Sequence, residues 1–113
     1  MKNNSVLQEK IPLEAQTPSP PYYAVIFTSK RTEGDLGYNE MSVRMEALVK
    51  DQPGFLGMES ARNELGITVC YWKDMTSIKN WSKNLEHQEA KKSGKEKWYE
   101  SYRVRISKVE FEY

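Results

Sequence analysis

The apolar and polar positions of this chain change period several times, and each change marks an element. Tyr22-Tyr23-Ala24-Val25-Ile26-Phe27-Thr28 is rich in aromatic and β-branched residues and predicts a first strand. Alternation puts Tyr23, Val25 and Phe27 on one face and Tyr22, Ala24 and Ile26 on the other, so both faces are apolar. After the turn Thr32-Glu33-Gly34-Asp35, with Asp35 as a helix cap, Tyr38, Met41, Met45 and Leu48 recur at helical spacing and form one buried stripe. Lys50 suits the helix C-terminus, and Pro53-Gly54 stops the helix.

Phe55 to Arg62 predicts a second strand, weakened by Gly57, and Asn63-Glu64-Leu65-Gly66 a tight turn. Ile67 to Trp72 completes the hairpin as a third strand, again apolar on both faces. Asp74 and Thr76 are candidate caps for a second helix whose stripe is Ile78, Trp81 and Leu85. Ser93-Gly94 interrupts it, and Lys95 to Tyr99 adds a short turn. Tyr102 to Tyr113 is a long last strand. Its apolar parity changes between Val104 or Ile106 and Val109, Phe111 or Tyr113, which predicts a bulge near Ser107-Lys108.

The order β-α-β-β-α-β is the ferredoxin-like α+β arrangement, with two helices on one face of a four-stranded antiparallel sheet. Two helices cover one face only, so the apolar residues of the other face call for a lid. A second copy of the chain is the simplest one, and a homodimer is expected. Residues 1–21 carry Pro12, Pro18, Pro20 and Pro21 in a polar setting and read as a flexible N-terminal arm, leaving 22–113 as the domain.

Composition removes several classes of function. The 113 residues suffice for one domain, and a net charge of +1 with interspersed signs argues against nucleic-acid or anionic-membrane binding. No apolar run approaches the roughly 20 residues of a membrane span, and Met1 to Gln8 lacks the apolar core of a signal peptide. The single cysteine, Cys70, cannot form an internal disulfide, so a cytoplasmic setting is expected. Cys70 and the methionines read as core filling, and the lysines from Lys91 to Lys97 as a solvated face. The sequence holds no HExxH motif, paired cysteines, Walker loop or nucleophile elbow, which leaves metal-dependent hydrolysis and nucleotide chemistry unsupported.

The runs Val69-Cys70-Tyr71-Trp72-Lys73-Asp74 and Ile78-Lys79-Asn80-Trp81 come next to His87-Gln88-Glu89-Ala90-Lys91, Gly94 and Trp98-Tyr99. Together with Pro53-Gly54-Phe55 they resemble the antibiotic-biosynthesis-monooxygenase (ABM) family over roughly Tyr22 to Tyr113. The resemblance implies a dimeric α/β barrel with a pocket between sheet and helices in each subunit. It also implies one of three activities: cofactor-independent oxygenation of anthrone-type aromatics, haem degradation, or none.

Trp81 stands where both catalytic branches carry a pocket tryptophan, although its place on the Ile78 stripe suits plain core packing equally well. The haem-degrading branch carries its histidine ligand ten residues beyond that tryptophan, where this chain has Lys91. A protonated ammonium offers iron no lone pair. Thr28 replaces that branch's asparagine, a second departure, so no cofactor is expected and haem is disfavoured. His87 is the sole histidine and the natural acid or base. On an unbroken helix it is turned away from Trp81 and solvated, and a break near Asn84-Leu85 would reverse that.

The leading expectation is a cofactor-independent monooxygenase for a small aromatic or quinone-like substrate. Trp81, Trp72 and Phe27 supply the walls, and Thr28, Tyr71 or His87 the polar contacts. The alternatives are a non-catalytic dimeric small-molecule-binding or stress-associated module and a haem-degrading oxygenase with an altered ligand.

Overall fold

The computed structural model describes residues 12–113. The first eleven residues of the expected arm lie outside the described residues. Four strands, β1 (Tyr22–Arg31), β2 (Phe55–Arg62), β3 (Gly66–Trp72) and β4 (Tyr99–Val109), form one antiparallel sheet in the order β2-β3-β1-β4. Helix α1 (Tyr38–Lys50) links β1 to β2, and α2 (Met75–Ser82) and α3 (Leu85–Ser93) link β3 to β4 through a π-helical turn, Gly94–Trp98. This is the ferredoxin-like topology.

The sheet register sets which residues can meet. Four rows run across the strands on the helix-covered face: Phe55–Trp72–Tyr23–Lys108, Met58–Cys70–Val25–Ile106, Ser60–Thr68–Phe27–Val104 and Arg62–Gly66–Ser29–Tyr102. Residues between these rows point to the opposite face. The core, centred on Val49, Trp72 and Ile78, fills the first two rows and is closed by Tyr23, Val25, Phe55 and Trp81. The stripe Tyr38, Met41, Met45 and Leu48 is half-buried beside the fully buried Val49.

The structure corrects four local expectations. Asp35 caps α1 from outside the helix, its carboxylate accepting from the Gly37 and Asn39 amides at 3.0 Å each, while Gly37 occupies the cap position. The second helix is two helices: Asp74 caps α2, accepting from Ser77 N at 2.8 Å, and Asn84 caps α3, accepting from His87 N at 3.1 Å. Leu85 is consequently off the buried stripe and 82% exposed. Pairing along β4 runs without a shift through Ser107 and Lys108, so no bulge forms there, and the irregularity falls at Lys30/Arg31 instead. Phe111 and Tyr113 follow the strand and are exposed.

The far face of the sheet is covered in part by the chain itself. Ala15 N donates to Glu59 Oε2 at 2.9 Å, and the Thr17 and Tyr22 hydroxyls both donate to Glu112. Residues 12–21 and the C-terminal tail thereby shield the end of that face holding Tyr22 and Ala24, both buried. Toward the other end, Ile26 and Val69 are half-buried and Ile67 is 41% exposed.

Candidate functional site

A cavity of about 580 Å³ lies between the helices and the covered face of the sheet. Its floor is Val25, Phe27, Met58, Thr68 and Cys70, and its roof includes Met41 and Met45 from α1. The volume suits a small organic molecule, and the lining is largely apolar.

One end is built by the break between α2 and α3. Trp81 lies in the last turn of α2 above Trp72, with ring centroids 6.3 Å apart. The chain then turns at Lys83 and restarts at Asn84, whose side chain holds the His87 amide. That turn brings the imidazole flat against the Trp81 indole, with centroids 4.3 Å apart and planes 13° apart. The sequence-based expectation of a solvated His87 is therefore overturned, because the helix on which it rested is not continuous.

His87 Nδ1 lies 3.0 Å from the Trp81 carbonyl oxygen. A carbonyl can only accept, so in this bond Nδ1 carries the proton and the neutral ring keeps its lone pair on Nε2. Burial against the indole pushes the His87 pKa below the ordinary imidazole value of 6.5, and Lys91 pushes it the same way, outweighing the upward pull of the carbonyl. The ring is neutral at pH 7. The site thus contains a fixed base whose tautomer is set by its own helix junction. Lys91 also lines the cavity, its Nζ donating to Ser82 Oγ at 3.2 Å.

The other end is phenolic. Phe27 meets Tyr99 edge-on at 5.2 Å and Tyr102 at 5.9 Å, while Tyr38 packs edge-on against Trp98 at 5.8 Å and Tyr99 at 6.0 Å. Burial and the neighbouring Tyr38 push the Tyr99 hydroxyl far up, so it stays protonated as a donor. The π-turn places Tyr99, and Gly94 is needed there: a Cβ would sit 2.8 Å from the Tyr99 ring. Arg31 staples this end, donating to the Trp98 carbonyl at 3.0 Å and lying 3.6 Å over the Tyr38 ring.

Of the residues singled out from sequence, Trp81, Trp72, Phe27 and His87 line the cavity. Thr28 and Tyr71 do not. Both fall between the rows and point to the far face, where Thr28 Oγ1 reaches only the Arg103 carbonyl at 3.5 Å and Tyr71 donates to Glu59 Oε1 at 2.6 Å. Burial and Glu59 push the Tyr71 pKa up to about 12. Thr28 alternates with Phe27, so its parity with Ala24 and Ile26 already placed it on that face. Sequence reasoning missed Tyr38, Tyr99, Tyr102 and Arg62, which come together only through the sheet register and the π-turn. Among the described residues no group of three or more histidine, cysteine or acidic side chains is arranged to hold a metal, and no helix is long and apolar enough to cross a membrane.

No family model matches the chain. The uncharacterised protein YqjZ of Bacillus subtilis (strain 168) is 54% identical over 98 residues, which cover 85% of this chain and 86% of YqjZ. Among solved structures, SnoaB, a cofactor-independent oxygenase from Streptomyces nogalater, superposes with a TM-score of 0.70 at 9% identity, covering 82% of this chain and 97% of SnoaB. A Caulobacter crescentus protein provisionally described as an antibiotic biosynthesis monooxygenase gives a TM-score of 0.69 at 14% identity, over 79% of this chain and 90% of its own. The structural likenesses carry the fold, the sequence identity carries the kinship, and the chain belongs to the YqjZ family on an ABM-type ferredoxin-like fold.

Proposed function

We propose that this protein is a cofactor-independent monooxygenase for a small aromatic or hydroquinone-type molecule bound in the helix–sheet cavity. The observation that carries the reading is the neutral His87, stacked on Trp81 with Nδ1 committed to a carbonyl and Nε2 left as a base. SnoaB, a cofactor-independent oxygenase of the same fold, supports the reaction class.

An anthrone-type methylene or hydroquinone loses a proton to His87 Nε2, and the resulting carbanion or phenolate is electron-rich enough to reduce oxygen itself. Conversion of a CH2 group to C=O by O2 releases one water, and oxidation of a hydroquinone to its quinone by O2 releases one hydrogen peroxide, so the substrate supplies all the electrons. The protein holds the ring against apolar walls, and the protonated Tyr99 hydroxyl, beside Tyr38, is a donor for a developing oxyanion. A homodimer belongs to the same proposal: Ile26, Val69 and Ile67 remain partly uncovered on the far face, and a second copy would bury them.

Oxygen uptake with anthrone and naphthohydroquinone tests the reading. Turnover is expected, falling by about 10²–10⁴-fold in His87→Gln. In the wild type the acid limb of the rate profile lies below pH 6.5, because the neutral base persists beneath the ordinary imidazole pKa. Ligand binding without oxygen consumption would replace this reading with that of a binding module.

A further inference from the structure

The fourth row of the sheet holds a cation with no acidic partner among the described residues. Arg62, Gly66, Ser29 and Tyr102 stand side by side across all four strands on the cavity face. The Arg62 side chain crosses Gly66 to reach Ser29, which is 1% exposed. Nη1 donates to the Ser29 carbonyl at 3.2 Å and Nη2 to its hydroxyl. The crossing requires glycine: a Cβ at position 66 would lie 2.1 Å from Arg62 Cζ.

Arg62 is an exposed residue, and two features set it apart from other surface arginines. Its head is fixed, since the Ser29 bonds commit one donor on each terminal nitrogen and leave one further hydrogen on each and the Nε–H. It is also uncompensated. The ion pairs among the described residues are Lys30–Glu100, Arg44–Glu86 and Lys50–Glu46, and none involves Arg62. The other charged side chains of the cavity wall are Glu46, already paired with Lys50, and the lysines Lys91 and Lys95. The cavity is therefore apolar in its walls and cationic in its charges, which favours an anionic guest.

We propose that Arg62 takes the carboxylate of an aromatic acid whose ring lies over Phe27 and Thr68, in the adjoining row. This rests on the reading of the cavity as an arene site and adds the charge its ligand must bear. A planar carboxylate matches the remaining donors in charge and geometry, whereas a neutral substituent leaves them to water.

Quenching of tryptophan fluorescence by 2-naphthoate and by its neutral isostere 2-naphthamide provides the test, because Trp72, Trp81 and Trp98 all line the cavity. Wild-type protein is expected to prefer naphthoate by about tenfold or more. Arg62→Gln abolishes the preference with naphthamide affinity unchanged. Gly66→Ala does the same by displacing the guanidinium while keeping its charge. Equal affinities in the wild type, or equal loss of both probes in Arg62→Gln, overturn the inference and leave the arene cavity standing. A preference that survives both substitutions belongs to Lys91 and Lys95 and also overturns it. Binding of neither probe overturns the cavity reading as well. A carboxylate preference without oxygen consumption by hydroquinones retains Arg62 and removes only the oxygenase.

Discussion

The two faces of the sheet are built from similar residues and do different things. Each carries aromatics, aliphatics and a tyrosine or histidine within reach of a polar partner. On the helix side the rings stand around a void, and the polar atoms have spare valences: Nε2 of His87 and the free part of the Arg62 fork. On the far side polar atoms are paired among themselves, with Tyr71 on Glu59, Ala15 on Glu59, and Thr17 and Tyr22 on Glu112. A face whose hydrogen bonds close on themselves is structural, and one that leaves donors and acceptors open around an apolar space is ready for a ligand.

Neighbouring residues on opposite faces offer the sharpest way to break this contrast. Trp72, 1% exposed beneath Phe55 and Trp81, is expected to cost about 3–5 kcal/mol when cut to alanine, read from urea unfolding. Its neighbour Tyr71→Phe should cost only about 0.5–1.5 kcal/mol, because Glu59 keeps the Ala15 bond. A Tyr71 penalty as large as that of Trp72 would make the far face a second core. Between these in interest stands Asn84→Ala, expected to lose about 1 kcal/mol with the α3 cap.

Titration sharpens the same comparison. The His87 pKa followed by NMR should lie below 6.5 and rise toward it in Trp81→Ala, which removes the covering ring but not the carbonyl. The unfolded chain binds this proton at higher pH than the folded one. The His87 contribution to stability is therefore complete above pH 6.5 and lost as pH falls through the folded value. At the far end of the scale, burial pushes the Cys70 thiol up to about 11, so its contribution is complete below 9 and lost as pH rises through 11. A Cys70→Ala variant should show a flatter stability curve in that window. The smallest effect is expected at the exposed Arg44–Glu86 pair, where Arg44→Ala should cost about 0–1 kcal/mol and lose even that in high salt.

Strand identity and order were legible in the chain because aromatic and β-branched runs bounded by Pro53-Gly54 and Asn63 to Gly66 admit few alternatives. The candidate site was legible only in part. Phe27, Trp72 and Trp81 could be found because parity and stripe spacing are local properties. His87 was misplaced because Leu85 continues the Ile78–Trp81 spacing by coincidence, while the informative residue was Asn84, a good cap in the middle of an apparent helix. Arg62 could not be found from spacing. Its partner Ser29 is 33 residues away, and only the register that sets Arg62 and Ser29 on either side of Gly66 brings them together.

The junction between α2 and α3 also constrains how this chain can change. Trp81 and His87 are stacked across a linker whose direction is set by the end of one helix and the cap of the next. Replacing Lys83, an exposed residue whose side chain neither ring uses, leaves that geometry alone. Inserting or deleting one residue does not, because the short turn from Lys83 to Asn84 fixes both the direction of α3 and the register of its cap. The segment from Trp81 to His87 is therefore tolerant in spelling but rigid in length, and a single-codon insertion there should silence the site while leaving the sheet folded.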